Sequence, residues 1–197
     1  MLENLPDEVD LTIADHVEWA KWTGEPEIWH QAAEACLNFL GDPHGFLPWL
    51  VRQPRLDRAT AGWLFLWPPG SDYLKGVHNR FDTKLPKDDL VALFDALCAR
   101  SEDVGFTVDD EGLPTICEPL RQECLAVVQS GNLAPGVVVP MAIVAKPFKT
   151  PDRSTIYEVH DGLLLSARFF HAELPEVYGP VPDRLAVMMA RLASRTR

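Results

Sequence analysis

The most metal-like stretch of the chain is Glu27-Ile-Trp-His30, with Glu34 one helical turn further on. Glu-x-x-His on a helix is half of a di-iron carboxylate site, because side chains three and four apart share a face. A complete site needs a second Glu-x-x-His, and no other histidine here has a glutamate three residues before it. The expectation for Glu27, His30 and Glu34 is a solvated polar face opposite Trp29 and Leu37, with no metal. Nucleophilic and nucleotide chemistry find no better footing. The chain has no Gly-x-Ser-x-Gly elbow, no Gly-x-x-x-x-Gly-Lys-Ser/Thr loop and no Gly-x-Gly-x-x-Gly turn.

Cys36, Cys98 and Cys124 fall on apolar stripes of predicted helices, where a free thiol acts as a small hydrophobe. Cys117 and Cys124 lie seven apart, a spacing that matches no zinc or redox motif. Cys117, just before a predicted helix, is expected to be the least buried thiol, and Glu118 beside it opposes thiolate formation. His160 and His171 flank a predicted hairpin, as strand-end surface residues commonly do. No catalytic residue, metal or cofactor is assigned from these patterns.

Charge says more. The formal net charge is −11 over 197 residues, and it is unevenly placed. Residues 1–42 hold ten acids and one base, and residues 101–123 hold seven acids and one base. Such a field repels phosphate backbones, so nucleic acid is not expected as a partner. A basic protein is, and Glu25, Glu27, Glu34 and Asp42 are the partner-binding candidates, Glu27 and Glu34 on the polar face of the second helix and Glu25 and Asp42 adjacent to it. The function expected is an acidic protein-interaction module, such as an immunity-type inhibitor of a basic toxin. The rival is an enzyme or small-ligand-binding protein with a dispersed site, drawing on His160, His171 and acids of 101–123. Such a site would be a deep pocket with at least two strongly perturbed titratable groups.

The elements that must position these residues follow from hydrophobic period. Helices are predicted over 7–22, from Pro26 to Leu40, over 46–52, over 58–67 behind an Asp57 cap, and from Pro86 through Cys98. The 58–67 helix is apolar nearly all round, which places Trp63 and Trp67 in the core. A polar loop is expected over 70–84 and an acidic one over 103–111. Pro119 opens a further helix, Met141–Ala145 reads as a strand, and a last helix is expected over 183–194. Asp161-Gly162, between two apolar runs, predicts a two-residue turn in a hairpin over 155–169. All predicted strands lie after residue 100. The fold class expected is α+β: a helical part over 1–103 and an α+β part over 104–197, forming one unit. An acidic N-terminus and the lack of an apolar run of roughly 18–20 residues predict a cytoplasmic protein without a membrane span.

The segment Pro54–Trp67, with Asp57, Thr60, Ala61, Phe65 and Trp67, resembles the bacterial family called domain of unknown function 4274, over about residues 28–78. The upstream Phe46, Trp49, Leu50 and Val51 look like that family's preceding helix. Membership implies an α-helical bacterial domain with no established activity, and so assigns no catalytic residue.

Overall fold

The computed structural model describes residues 5–78, 83–151, 155–173, 175–179 and 187. The chain opens with strand β1 (Glu8–Asp10), followed by helices α1 (Ala14–Thr23) and α2 (Pro26–Ala35). A π-helical turn, Cys36–Leu40, extends α2, and the Gly41 amide donates to the Cys36 carbonyl at 2.9 Å. Helices α3 (Phe46–Val51), α4 (Arg58–Leu66), α5 (Gly70–Leu74) and α6 (Lys87–Asp103) complete the first half. Then come α7 (Cys117–Ser130), α8 (Met141–Val144), strands β2 (Tyr157–His160) and β3 (Leu163–Ser166), and helices α9 (Ala167–Glu173) and α10 (Pro175–Tyr178). The fold is α+β and mostly helical.

The sheet has the order β1-β3-β2, all antiparallel, with Val9 opposite Leu164 and Val159 opposite Leu164 on the other side. The hairpin turns where Asp161-Gly162 predicts, at φ values of 50° and 91°, as a type I′ turn demands. A Cβ on Gly162 would lie 2.5 Å from Leu40 Cδ2, so the turn is also seated on the π-helical end of α2. The second strand is shorter than expected and becomes α9 at Ala167.

Four expectations are corrected. Val9 lies in a strand, not a helix, so the N-terminus supplies one edge of the sheet. The helical period begins only at Ala14 because Asp10 Oδ1 accepts from the Thr12 amide and hydroxyl, a local turn that interrupts the chain. The expected 70–84 loop opens with α5, whose residues are all buried. Pro69 O accepts from the Asp72 and Tyr73 amides, and Gly70 fits only without a side chain, since a Cβ would stand 2.4 Å from Phe65 O. The expected 141–145 strand is α8. Its carbonyl end is held by two buried arginines: Arg58 donates to Ile143 O, Lys146 O and Pro147 O, and Arg121 to Val144 O. Trp63 is core at 7% exposed, but Trp67 is 37% exposed and stacks on it at 4.7 Å between ring centroids. Apart from Val187, the last predicted helix falls outside the described residues.

α4 forms the axis of the core. Every residue from Arg58 to Leu66 is buried, between α2 on one side and α7 and α8 on the other. Asp57 does more than cap it. Oδ1 accepts from the Ala59 amide, while Oδ2 accepts from the Asp110 and Glu111 amides and pins the acidic loop to the helix start.

Candidate functional site

The polar face of α2 is not solvated. Glu25 and Glu27 are 4% and 5% exposed, Gln31 is buried as well, and Glu34 is half-buried. The reason is α2's position between α4 and the β2–β3 hairpin, which covers both sides of the helix. Glu27 Oε1 accepts the Ile156 amide just before β2. His30 Nδ1 lies 3.0 Å from Thr60 Oγ1, and burial pushes its pKa down to about 4, keeping the ring neutral. Burial also pushes the Glu34 carboxyl up. Asp42 is half-buried, and its two oxygens accept the Phe46 and Leu47 amides at 2.7 and 2.9 Å, capping α3. The expected exposed face is thus an internal set of polar staples. Among the described residues no group of three His, Cys, Asp or Glu side chains could hold a metal ion.

The thiols are equally inward. All four cysteines are free and buried, Cys117 included at 1% exposed. Burial pushes Cys98 and Cys124 up to about 12 and Cys117 up to about 11, which leaves each protonated and unreactive. His160 Nε2 lies 3.2 Å from Glu158, while His171 Nδ1 meets Gly179 O at 2.8 Å, so the two have separate partners.

Most acids of 101–123 also have internal partners. Asp109 pairs with Arg58 at 3.1 Å, Asp110 with Lys149 at 3.6 Å, and Glu118 with Arg121 at 2.5 Å. Hydrogen bonding from Arg121 holds the Glu118 carboxyl down at about 2. Glu123 accepts from Ser71 Oγ at 2.9 Å and lies 3.7 Å from Lys75. Glu102 and Asp103 differ. Both are exposed at the end of α6, and neither side chain has a hydrogen bond or ion pair among the described residues.

These two carboxylates border a cleft of about 430 Å³ between α5, α6 and the segment 134–138. α6 supplies Val91, Asp95, Cys98, Ala99, Glu102 and Asp103, α5 supplies Tyr73, and the far wall is Ala134 to Val138. The far wall is held in place because Gly131 ends α7 in the left-handed region and the Ala134 amide donates to Leu74 O at 2.8 Å. Tyr73 donates its hydroxyl to Asp95 Oδ1 at 2.5 Å, and His78 stacks on the Tyr73 ring at 5.9 Å between centroids. Among the described residues no Lys or Arg lines the cleft. Arg100, next to Ala99 in α6, donates to Val51 O and lies over Phe106. Val104 (73% exposed) lies next to Asp103 in sequence, and Val138 (38% exposed) lines the far wall.

Two groups here are strongly perturbed, as a dispersed catalytic site would require. Their direction makes neither an ionised nucleophile or base at neutral pH. Burial pushes both the Tyr73 phenol and the Cys98 thiol up, toward their protonated forms. What the cleft offers is negative charge beside apolar surface. The sequence carried a signal for it: Glu102 and Asp103 fall in the last turn of α6, where the carbonyl end of the helix dipole disfavours a carboxylate. Asp88 and Asp89, in the first turn, are where the dipole favours them.

No helix among the described residues is long and apolar enough to cross a membrane. No family model matches the chain, and neither a curated protein nor a solved structure matches it.

Proposed function

We propose that this chain is an acidic protein-interaction module that engages a basic protein through the α6 cleft, an immunity-type inhibitor of a basic toxin being its concrete form. One observation carries the reading. Glu102 and Asp103 stand exposed, without a described partner, at the helix end where carboxylates are unfavourable. Residues kept at a local electrostatic cost are explained by a gain made elsewhere, and a cationic partner supplies it. The Val137–Val138 wall gives the aliphatic stem of a lysine or arginine a surface to lie on, with Asp95, Glu102 and Asp103 around its head. A phosphate backbone is repelled by the same three groups. In this reading the protein works in the cytoplasm, where its four thiols stay reduced. Membership of the domain of unknown function 4274 family is likewise proposed, on Asp57, Thr60, Ala61, Phe65 and Trp67 and the preceding Phe46–Val51 segment, over about residues 28–78.

The test is capture of a basic protein from the source cell by the wild type and by a Glu102→Lys/Asp103→Lys double variant. The expected result is a partner held by the wild type, lost by the variant, and associating about tenfold more slowly when salt rises from low to several hundred millimolar. Capture indifferent to the double variant and to salt overturns the reading. Turnover of a small molecule by the purified protein, with Glu102 and Asp103 irrelevant, favours the enzymatic alternative.

A further inference from the structure

α6 stands between two concavities. At 100° per residue, Asp88, Ala92, Ala99 and Asp103 share the crown of its outer face, and all four are exposed. On one flank lies the carboxylate cleft, edged by Asp95 and Glu102. On the other lies a groove of about 400 Å³ shared with α3, with Leu47, Val51, Leu85 and Leu93 in its walls and Ala96 at its edge. The flanks therefore differ in chemistry, one acidic and one largely apolar, and the middle of the ridge between them carries Ala92 and Ala99, with Asp88 and Asp103 at its ends.

We propose that this face docks a helix of the basic partner, with lysine or arginine side chains in the cleft and apolar side chains in the groove. The proposal rests on the function proposed above and specifies what the partner presents. Alanines at 92, 96 and 99 let a second helix axis approach closely, since interaxial distance is set by the side chains at the contact. A helix about 10–12 Å across reaches both flanks at once, whereas an extended strand follows only one. Strand addition is also disfavoured because the backbone amides and carbonyls within α6 are already paired along the helix. The 17 residues of α6 span roughly 25 Å, room for about four turns of an incoming helix. Charge sets its facing: the cleft side carries Asp95, Glu102 and Asp103, and the groove side carries Asp42, Asp89 and Arg52 with a smaller imbalance.

A designed four-turn peptide, lysine on one helical face and leucine on the adjacent one, is the probe. Its binding to the intact protein is measured by fluorescence anisotropy beside a scrambled peptide of identical composition. The helical peptide is expected to bind at least tenfold more tightly than the scrambled one. Glu102→Lys/Asp103→Lys, acting in the cleft, and Ala96→Trp, acting at the groove, are each expected to weaken it about tenfold. All three positions are exposed, and circular dichroism checks that the variants fold. Equal binding of the scrambled peptide, no binding of the helical one, or indifference to Ala96→Trp overturns helix docking. The failures separate: a captured basic protein that needs Glu102 and Asp103 but not the Ala96 side leaves the function standing and removes only the helix. A captured protein that needs neither removes both.

Discussion

Where α2 carries Glu27 onto the Ile156 amide, α6 carries Glu102 and Asp103 into solvent with no described partner. In sequence the two helices look alike, each with an apolar stripe backed by acids. The difference lies in what packs on the acidic side. α2 is covered by the hairpin, and the Ile156 amide just before it and the Thr60 hydroxyl of α4 meet the polar groups of α2. α6 meets α3, α4, α5 and α8 on its inner side and leaves Asp88, Ala92, Ala99 and Asp103 uncovered. A buried carboxylate is retained by its hydrogen bonds and serves the fold, and an exposed one at an unfavourable helix end calls for another reason.

The largest effect expected from this contrast is at Glu27. Glu27→Lys places a cation among buried groups and strips the Ile156 amide of its acceptor, which should cost about 3–5 kcal/mol. Glu102→Lys should cost nothing. Urea denaturation of the two variants side by side checks this, and equal stabilities would erase the distinction between the helices. Asp57→Ala comes next. It removes a helix cap and two further acceptor contacts to the Asp110 and Glu111 amides, so a loss of about 2–4 kcal/mol is expected. Hydrogen exchange should also report faster exchange at Asp110 and Glu111 than in the wild type.

The parts of the fold legible in the sequence are those decided by neighbours in the chain. Asp161-Gly162 specified its turn because positive φ at both positions is a local demand. The spacing of Leu90, Leu93, Phe94, Leu97 and Cys98 specified the buried face of α6 in the same way. Burial of the opposite face was not local. Glu27 lies 129 residues from Ile156, and nothing near Glu27 in sequence announces the hairpin that covers it. The same holds for Met141–Val144, whose β-branched content was overruled by guanidiniums reaching in from Arg58 and Arg121. The α6 cleft is half legible: Glu102 and Asp103 stand in a visible acidic run, but the polar 70–84 segment hides Tyr73, and only the structure sets it beside Asp95.

A pH titration sharpens the comparison from the buried side. The His30 pKa falls from 6.5 to about 4 on folding because burial disfavours the charged ring. Between those values the unfolded chain binds the proton and the folded one does not, so stability should fall as pH drops through the window. The full difference corresponds to at most about 3 kcal/mol. His30→Asn keeps a polar atom for Thr60 and has no such titration. The stability difference between wild type and variant should therefore change between pH 6.5 and pH 4 and stay level above it. A constant difference across the window would mean that the ring is solvated, and that the α2 face is open after all.

The smallest expected effect bears most directly on function. Replacing Glu102 and Asp103 by lysine puts cations where the α6 carbonyls and the dipole favour them, and removes two acids from a chain of net charge −11. Neither side chain gives up a described hydrogen bond or ion pair. The double variant should thus be more stable than the wild type, by about 0.3–1 kcal/mol per position at low ionic strength, and the gain should shrink as salt screens it. Thermal melts at two salt concentrations measure both quantities. A stabilising substitution that also removes binding of a basic partner would show that these carboxylates are held against stability for recognition. A destabilised double variant would show the opposite, that Glu102 and Asp103 serve the fold as Glu27 does, and α6 would lose its distinction from α2.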